Sequence, residues 1–300
     1  MLPSHPNAIT VRRLELVWPD QIDPVLVDGQ PALSNVIVAL SLLMPYVEPY
    51  LIRTMRLALP RVSSREVAAD MRSFCAQEGQ HYRQHARFNE ALRLTKSATL
   101  LALEAEVASD YARFTSSRSL RFNLAYAEGF EAFTSAFALY CFEVQFGQRM
   151  RDEVRELFEW HLMEELEHRT VTFDAYQQVS GSYLYRLFVG LFAQLHLVRF
   201  TFRASQALRA MRAGEAESGA LASVPGREGD AAGDAAGAHT QTPQRRVRKR
   251  SLYREVARHL LPKVLATYLP WYTPHAIEVP PEVRARGPFY AARASSLSAT

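Results

Sequence analysis

Two residue pairs in this 300-residue chain are spaced for metal chemistry: Glu78-x-x-His81 and, some ninety positions on, Glu165-x-x-His168, the second preceded one helical turn earlier by His161. A helix advances ~100° per residue, so Glu165 and His168 project within ~60° of each other and His161 lies ~40° to the other side. All three can reach one point. The same arithmetic sets Glu78, His81 and His85 on a single narrow stripe. Four of the nine histidines therefore sit in two short windows, each beside a glutamate. One Glu-x-x-His arises readily by chance, and a lone histidine on an apolar face is more often a core residue. Two pairs predict a dinuclear centre, because di-metal bundles take one glutamate from each of two helices and Glu-x-x-His from each of two others.

Such a site requires a lone acid ahead of each pair. Before Glu78 that acid is Glu48, set among Leu42, Leu43, Met44, Tyr46, Val47 and Leu51. A charge in such a run needs a partner. Before Glu165 stand Glu128, Glu131 and Glu143; Glu131 lies among Phe130, Phe133 and Phe137, and its spacing of 34 to Glu165 is near the 30 from Glu48 to Glu78. This favours Glu131 over Glu128. Pro45 and Pro49 flank Glu48, and a proline disfavours α geometry in the residue before it, so a kink is expected there; the alternative is that Glu48 caps a helix start.

The expected metal ligands are thus Glu48, Glu78, His81, Glu131, His161, Glu165 and His168, with His85 either a further ligand or a structural or proton-relay group. Four carboxylates neutralise two divalent cations, and neutral imidazoles suit iron, or alternatively manganese or zinc. Each imidazole should donate its far N–H to an acid or carbonyl, for which Asp70, Asp174 and Glu164 are candidates. Glu164 is also the expected catalytic acid.

These residues need helices to position them, and the chain supplies them. Apolar residues recur at three and four over 32–59, 62–94, 98–114, 120–146, 154–179 and 183–211, with no run of period two. The class is all-α, and the order of lone acid then Glu-x-x-His, twice over, is that of a ferritin-like four-helix bundle with additional helices. Ser63 with Glu66 reads as a capping box, Pro60 closes the first helix, and Gly181 stands at the stop of the fifth. Residues 1–212 form the metal-binding bundle domain. Residues 213–250 are a low-complexity linker holding six of the thirteen glycines by Thr242. Residues 251–300 are a C-terminal helical extension, packing back through Tyr253, Val256, Leu260, Leu261, Val264 and Leu265.

Composition is that of a globular protein, with 48% hydrophobic residues and a net charge of +4. The basic run at 245–250 reads as a solvated linker end. With three lysines to thirty-two arginines and no interleaved aromatic pattern, nothing points to nucleic acid. Cys75 and Cys141, far apart, give no disulfide framework, and the start shows no signal peptide; both fit a cytoplasmic protein. The segment 183–202 contains Arg186, His196 and Arg199, too many charges for a spanning helix, and reads as buried or interfacial. The expected partner is a small-molecule substrate; peripheral membrane contact and a homodimer stay open.

The segments Pro45-Tyr-Val-Glu48, Gln77-Glu78-Gly-Gln-His81-Tyr-Arg-Gln-His85, Phe130-Glu131-Ala-Phe-Thr134 and Trp160-His161-Leu-Met-Glu164-Glu165-Leu-Glu-His168 resemble the bacterial family labelled predicted metal-dependent hydrolase. The resemblance spans roughly residues 10–200, and its most specific part is the Trp-His-x-x-Glu-Glu-x-Glu-His block. The family usually carries a histidine directly after the third acid, where this chain has Ala132. In its ligand order alone the chain is also similar to ferritin-like di-iron arylamine N-oxygenases, in which a third histidine precedes the last Glu-x-x-His as His161 does here. Of the functions these imply, an O2-using di-iron oxidase or oxygenase acting on a small organic substrate fits the donor set best. A hydrolase using metal-activated water, with Glu164 relaying protons, stands second. Non-enzymatic metal binding stands third.

Overall fold

The apolar run around Glu48 folds as α1 (Pro31–Ala58), helical throughout its 28 residues with Pro45 and Pro49 inside it. Pro45 has no N–H to offer the Ser41 carbonyl one turn back. The Asn89 side chain supplies that bond from the next helix, its Nδ2 donating to Ser41 O at 2.9 Å. Residues 9–92, 96–222 and 249–297 are described in the computed structural model, apart from the side chains at 215–222, 249–251 and 295–297.

Serine caps open the next three helices. Ser64, not Ser63, caps α2 (Arg65–Ala91), its hydroxyl accepting from Val67 N–H; the Ser63 N–H donates to Gln178 Oε1 instead. Ser97 and Ser119 cap α3 (Ala98–Ser117) and α4 (Leu120–Glu143) in the same way. Gln145, in the left-handed region at φ 50°, follows the end of α4. The single helix expected over 154–179 is two, α5 (Asp152–Glu167) and α6 (Val171–Val179), broken where His168 leaves helical geometry at φ −97° and ψ 10°. At the break His168 N–H still reaches Glu164 O and its carbonyl accepts from Val171 N–H, both at 3.0 Å. Gly181, at φ 64°, follows α6 as expected.

The helix α7 (Tyr183–Ala222) runs past the expected end at Met211 into the segment read as linker, of which 223–248 lie outside the described residues. It packs along α1 and α4. Its outer face carries exposed Leu184, Phe188, Leu191, Leu195, Val198 and Phe202 at helical spacing. By length and composition, Pro31–Arg61 and Tyr183–Gly214 could each cross a membrane; the first is 72% buried in the bundle and the second 39%.

Ahead of α1 the chain is extended and straps α2. Arg12, Leu14 and Leu16 are buried while Val11, Arg13, Glu15 and Val17 are exposed, a period-two alternation that the helical reading passes over. Along α2, Gln77 and Gln84 donate to Thr10 O and Leu14 O, and Ala91 O accepts from Ile22 N–H, one bond every seventh residue. Strands are absent among the described residues apart from two isolated bridges, Ile22 with Leu92 and Val27 with Met150. The class is all-α.

The extension comprises α8 (Lys249–Glu255), a π-helical turn at Val256–Leu260, α9 (Leu261–Ala266), α10 (Pro281–Arg284) and α11 (Arg286–Leu297). It packs back through Val256, Leu260, Val283 and Tyr290, whereas Tyr253, Leu261 and Leu265 are exposed. The reason is polar. Glu255 accepts from Tyr140 Oη and from both ends of the Arg149 guanidinium at 2.8 to 2.9 Å, and that contact sets which face turns inward.

The α4 and α7 backbones cross at Gly129 and Gly190. A Cβ at Gly129 would lie 2.2 Å from Gly190 Cα, but one at Gly190 would stand 3.4 Å from Gly129 Cα, an ordinary contact. Gly129→Ala is therefore expected to destabilise by about 1–3 kcal/mol through backbone overpacking. Gly190→Ala should be neutral or stabilising through helix propensity. Urea unfolding of the two variants checks the asymmetry.

Candidate metal centre

Four helices turn polar residues from apolar faces to one interior space. Glu48 comes from α1, Glu78 and His81 from α2, Glu131 from α4, and His161 and Glu165 from α5, whose C-cap is His168; none is more than 8% exposed. All seven residues expected as ligands are brought together. They form two groups able to hold a metal ion, Glu48 with His81 and His161, and Glu78 with Glu131, Glu165 and His168, each with its donor atoms within 4.8 Å of one another. The groups adjoin. Glu78 Oε1 lies 3.7 Å from His81 Nδ1 and 3.3 Å from His168 Nε2. Glu165 puts Oε1 2.9 Å from His161 Nε2 and Oε2 3.5 Å from His168 Nε2. Both glutamates stand between the two groups.

Hydrogen bonds behind the imidazoles decide which nitrogen faces inward. Gln77 donates through Nε2 to Thr10 O and Glu167, so its Oε1 must accept, and His168 Nδ1–H donates to it at 3.1 Å. His81 donates from Nε2 to Glu164 Oε2 at 3.0 Å. The third chain is longer. Because Asn89 Nδ2 donates to Ser41 O, its Oδ1 accepts from Ser41 Oγ at 2.6 Å; Ser41 Oγ then accepts from His85 Nδ1 at 2.8 Å, and His85 Nε2 accepts from His161 Nδ1 at 2.7 Å. The first two chains leave a lone pair pointing into the space, on His168 Nε2 and His81 Nδ1, while the third turns His161 Nε2 to Glu165 Oε1 at 2.9 Å.

This space is short of hydrogen-bond donors. Nine atoms, both oxygens of Glu48, Glu78 and Glu131, one of Glu165, His81 Nδ1 and His168 Nε2, find no hydrogen-bond partner among the described residues. Burial, then the neighbouring carboxylates, hold Glu48 and Glu131 well above the usual carboxylate range. Burial would also raise Glu165, but His168 and His161 hold it well below. Burial would lower His168, and Glu165 and Glu131 carry it well above. His81 rises to about 9 against its burial because Glu164 and Glu78 face it. The acceptors crowd together as they would around cations, and protons compete for the same places. Carboxylate oxygens with imidazole nitrogens are the donor set of iron, manganese or zinc, and the residues fit two such ions.

Two expectations are corrected, those for Glu164 as catalytic acid and for Asp70 and Asp174, and of the two readings of His85 the structural one is found. Glu164 does not face the space between the two groups: fully buried behind His81, it accepts from Arg12 Nη1 at 2.9 Å and from His81, the role expected of it as a partner to an imidazole, and so positions the ring. His85 lies behind His161, its ring held well below the usual histidine range by burial and by His161 and His81. Asp174 pairs with His275 at the surface, and Asp70 makes none of the imidazole hydrogen bonds. Glu128 stays outside the groups, paired with Arg186 at 2.8 Å.

Sequence reading missed Arg12, Ser41, Gln77, Asn89 and Glu167. Arg12 holds Glu164 and Glu167 together and also donates from Nε to Gly287 O. The alternation of Arg12, Leu14 and Leu16 was its available signal. On the opposite side, an apolar cavity of about 700 Å³, including its open mouth, reaches His161 and Glu165 between walls that include Ile37, Met44, Phe130, Phe137 and Leu162.

Removing Arg12 strands a wholly buried carboxylate. Arg12→Ala is expected to destabilise by about 3–5 kcal/mol, as for other broken buried pairs, and Arg12→Lys by less. Urea unfolding at neutral pH measures both; equal, negligible losses would contradict the clamp.

Comparison with known proteins agrees with this geometry at the level of family. A family model described as predicted metal-dependent hydrolase matches residues 10–278. No curated protein and no solved structure matches the chain. With Arg12 and every residue of both groups inside that match, the chain belongs to the predicted metal-dependent hydrolase family.

Proposed function

We propose that the protein is a dinuclear-metal oxidase or oxygenase, dependent on iron, that uses O2 to oxidise a small organic substrate. The observation that carries this reading is the donor set: four carboxylates and three inward imidazole nitrogens in two adjoining buried groups, beside an apolar cavity. Two iron ions bound there would supply the reduction of dioxygen and the oxidation of a substrate alongside.

The protein's own part is positioning and exclusion. Glu48, His81 and His161 would hold one ion, Glu131 and His168 the other, with Glu78 and Glu165 reaching both. Glu164 and Gln77 fix the tautomers of His81 and His168, and His85 fixes that of His161. The apolar wall keeps bulk water from the side on which substrate meets His161 and Glu165.

The family description favours a second reading, hydrolysis by metal-activated water. That reaction needs a proton acceptor on the substrate side. Glu164 lies behind His81, and both His85 nitrogens are already bonded, so the geometry favours oxidation.

Anaerobic loading with ferrous ion is expected to give two irons per chain, and air should then bring oxygen uptake with a transient visible band. Zinc in the purified protein, with no oxygen uptake after iron loading, would sink the oxidase reading. Glu165→Ala should lower the content below one iron per chain because Glu165 touches both groups, whereas His161→Ala should retain most of the metal and change its reactivity. Metal analysis of the two variants decides this; full occupancy in Glu165→Ala would contradict the assignment.

A further inference from the structure

The cavity beside His161 and Glu165 has a direction. On α1 its lining runs from Ile37 to Met44, towards Glu48; on α5 it runs from Phe158 to Glu165. On α4 the sense reverses, from Phe130 beside Glu131 to Cys141, and Phe146 and Met150, which follow α4 in the chain, continue the lining. Three helices thus agree that one end lies at the metal groups and the other at the end of the bundle. At 1.5 Å per residue, the stretch from Phe130 to Cys141 spans roughly 16 Å.

Polar groups along this length are already engaged. Ser41 Oγ donates to Asn89 and accepts from His85, both His85 nitrogens are bonded, and Thr134 Oγ1 donates to Glu131 O. Cys141 is a buried thiol, its ionisation pushed up by burial. No arginine, lysine or aspartate lines the cavity, and Glu165 is its sole glutamate among the described residues. A charge or hydroxyl placed along the channel would lose its water and gain nothing in return.

We infer that the substrate carries an uncharged hydrocarbon chain which lies along this channel, with the atom to be oxidised at the His161 and Glu165 end. The reacting position rests on the metal-centre reading; the binding of the chain does not. Near the metal groups a polar end is accommodated, and everything beyond it must be apolar.

The test is calorimetric titration of the protein as purified with 1-alkanols from four to twelve carbons. Affinity is expected to rise roughly fourfold per added methylene, the equivalent of about 0.8 kcal/mol, and to level off once the channel is filled. 1,8-Octanediol should bind at least about tenfold more weakly than 1-octanol, since its second hydroxyl would be buried without a partner. Leu40→Trp, midway along the α1 side of the lining, should move the plateau to shorter chains. Phe188→Ser, on the outer face of α7, should leave the whole series unchanged. Affinity independent of chain length, equal binding of the diol, or loss of binding in Phe188→Ser would each overturn the inference. The titration involves no oxygen, so failure of the iron and oxygen experiment leaves it standing, and its own failure leaves the metal reading standing.

Discussion

Four carboxylates and three imidazoles share one buried interior space, and the rest of the fold answers to that constraint. Taking a single ion out of water is unfavourable by several kcal/mol even after relaxation. Four anions together are tolerable only if cations or protons sit among them. The raised pKa of Glu48 and Glu131, and of His168 between them and Glu165, describes the proton solution. The inward lone pairs describe the metal one. Fixed from behind, His168 Nε2 and His81 Nδ1 are left as acceptors beside carboxylates, an arrangement that could hold metal ions.

The two flanks of the site are supported by different means. On one, an extended strap brings Arg12 to Glu164 and Glu167 and gives Gln77 a backbone acceptor at Thr10, so His81 and His168 are oriented by a charged, many-membered network. On the other, support is neutral and starts from a missing hydrogen bond. Pro45 leaves the Ser41 carbonyl open, Asn89 fills it, and the orientation this forces on the Asn89 amide passes through Ser41 and His85 to His161. A proline that reads in the sequence as a disturbance of the ligand helix is the first link of the chain that sets a ligand's tautomer.

What could be read beforehand follows from how locally each feature is specified. Glu48, Glu78, His81, Glu131, His161, Glu165 and His168 betray themselves within a turn or two, as charged or imidazole side chains on faces otherwise apolar. The choice of Glu131 over Glu128 also agrees with local spacing, and Glu128 goes instead to Arg186, 58 residues away. Arg12 is different in kind: its partner Glu164 is 152 residues distant, and nothing near either announces the other. The break at His168 was hidden because apolar periodicity continues across it into α6. The inward face of the extension was misjudged because Glu255, pairing with Arg149, rotates it against the hydrophobic pattern.

The asymmetry of the two flanks has a chemical meaning. Of the seven clustered residues, His161 and Glu165 alone line the cavity, and His161 is the ligand whose support is neutral. His81 and His168, which do not line the cavity, are held through Glu164 and Gln77 by the Arg12 network. A reaction that changes the charge at the centre perturbs most the ligand it meets first. A chain of neutral hydrogen bonds from Asn89 to His161 can follow such a change by small shifts of protons along it, whereas the Arg12 network, with its ionised partners fixed by geometry, resists any rearrangement. Ionised partners fixed on the sheltered side and a compliant neutral relay on the cavity side thus hold the same site by different means.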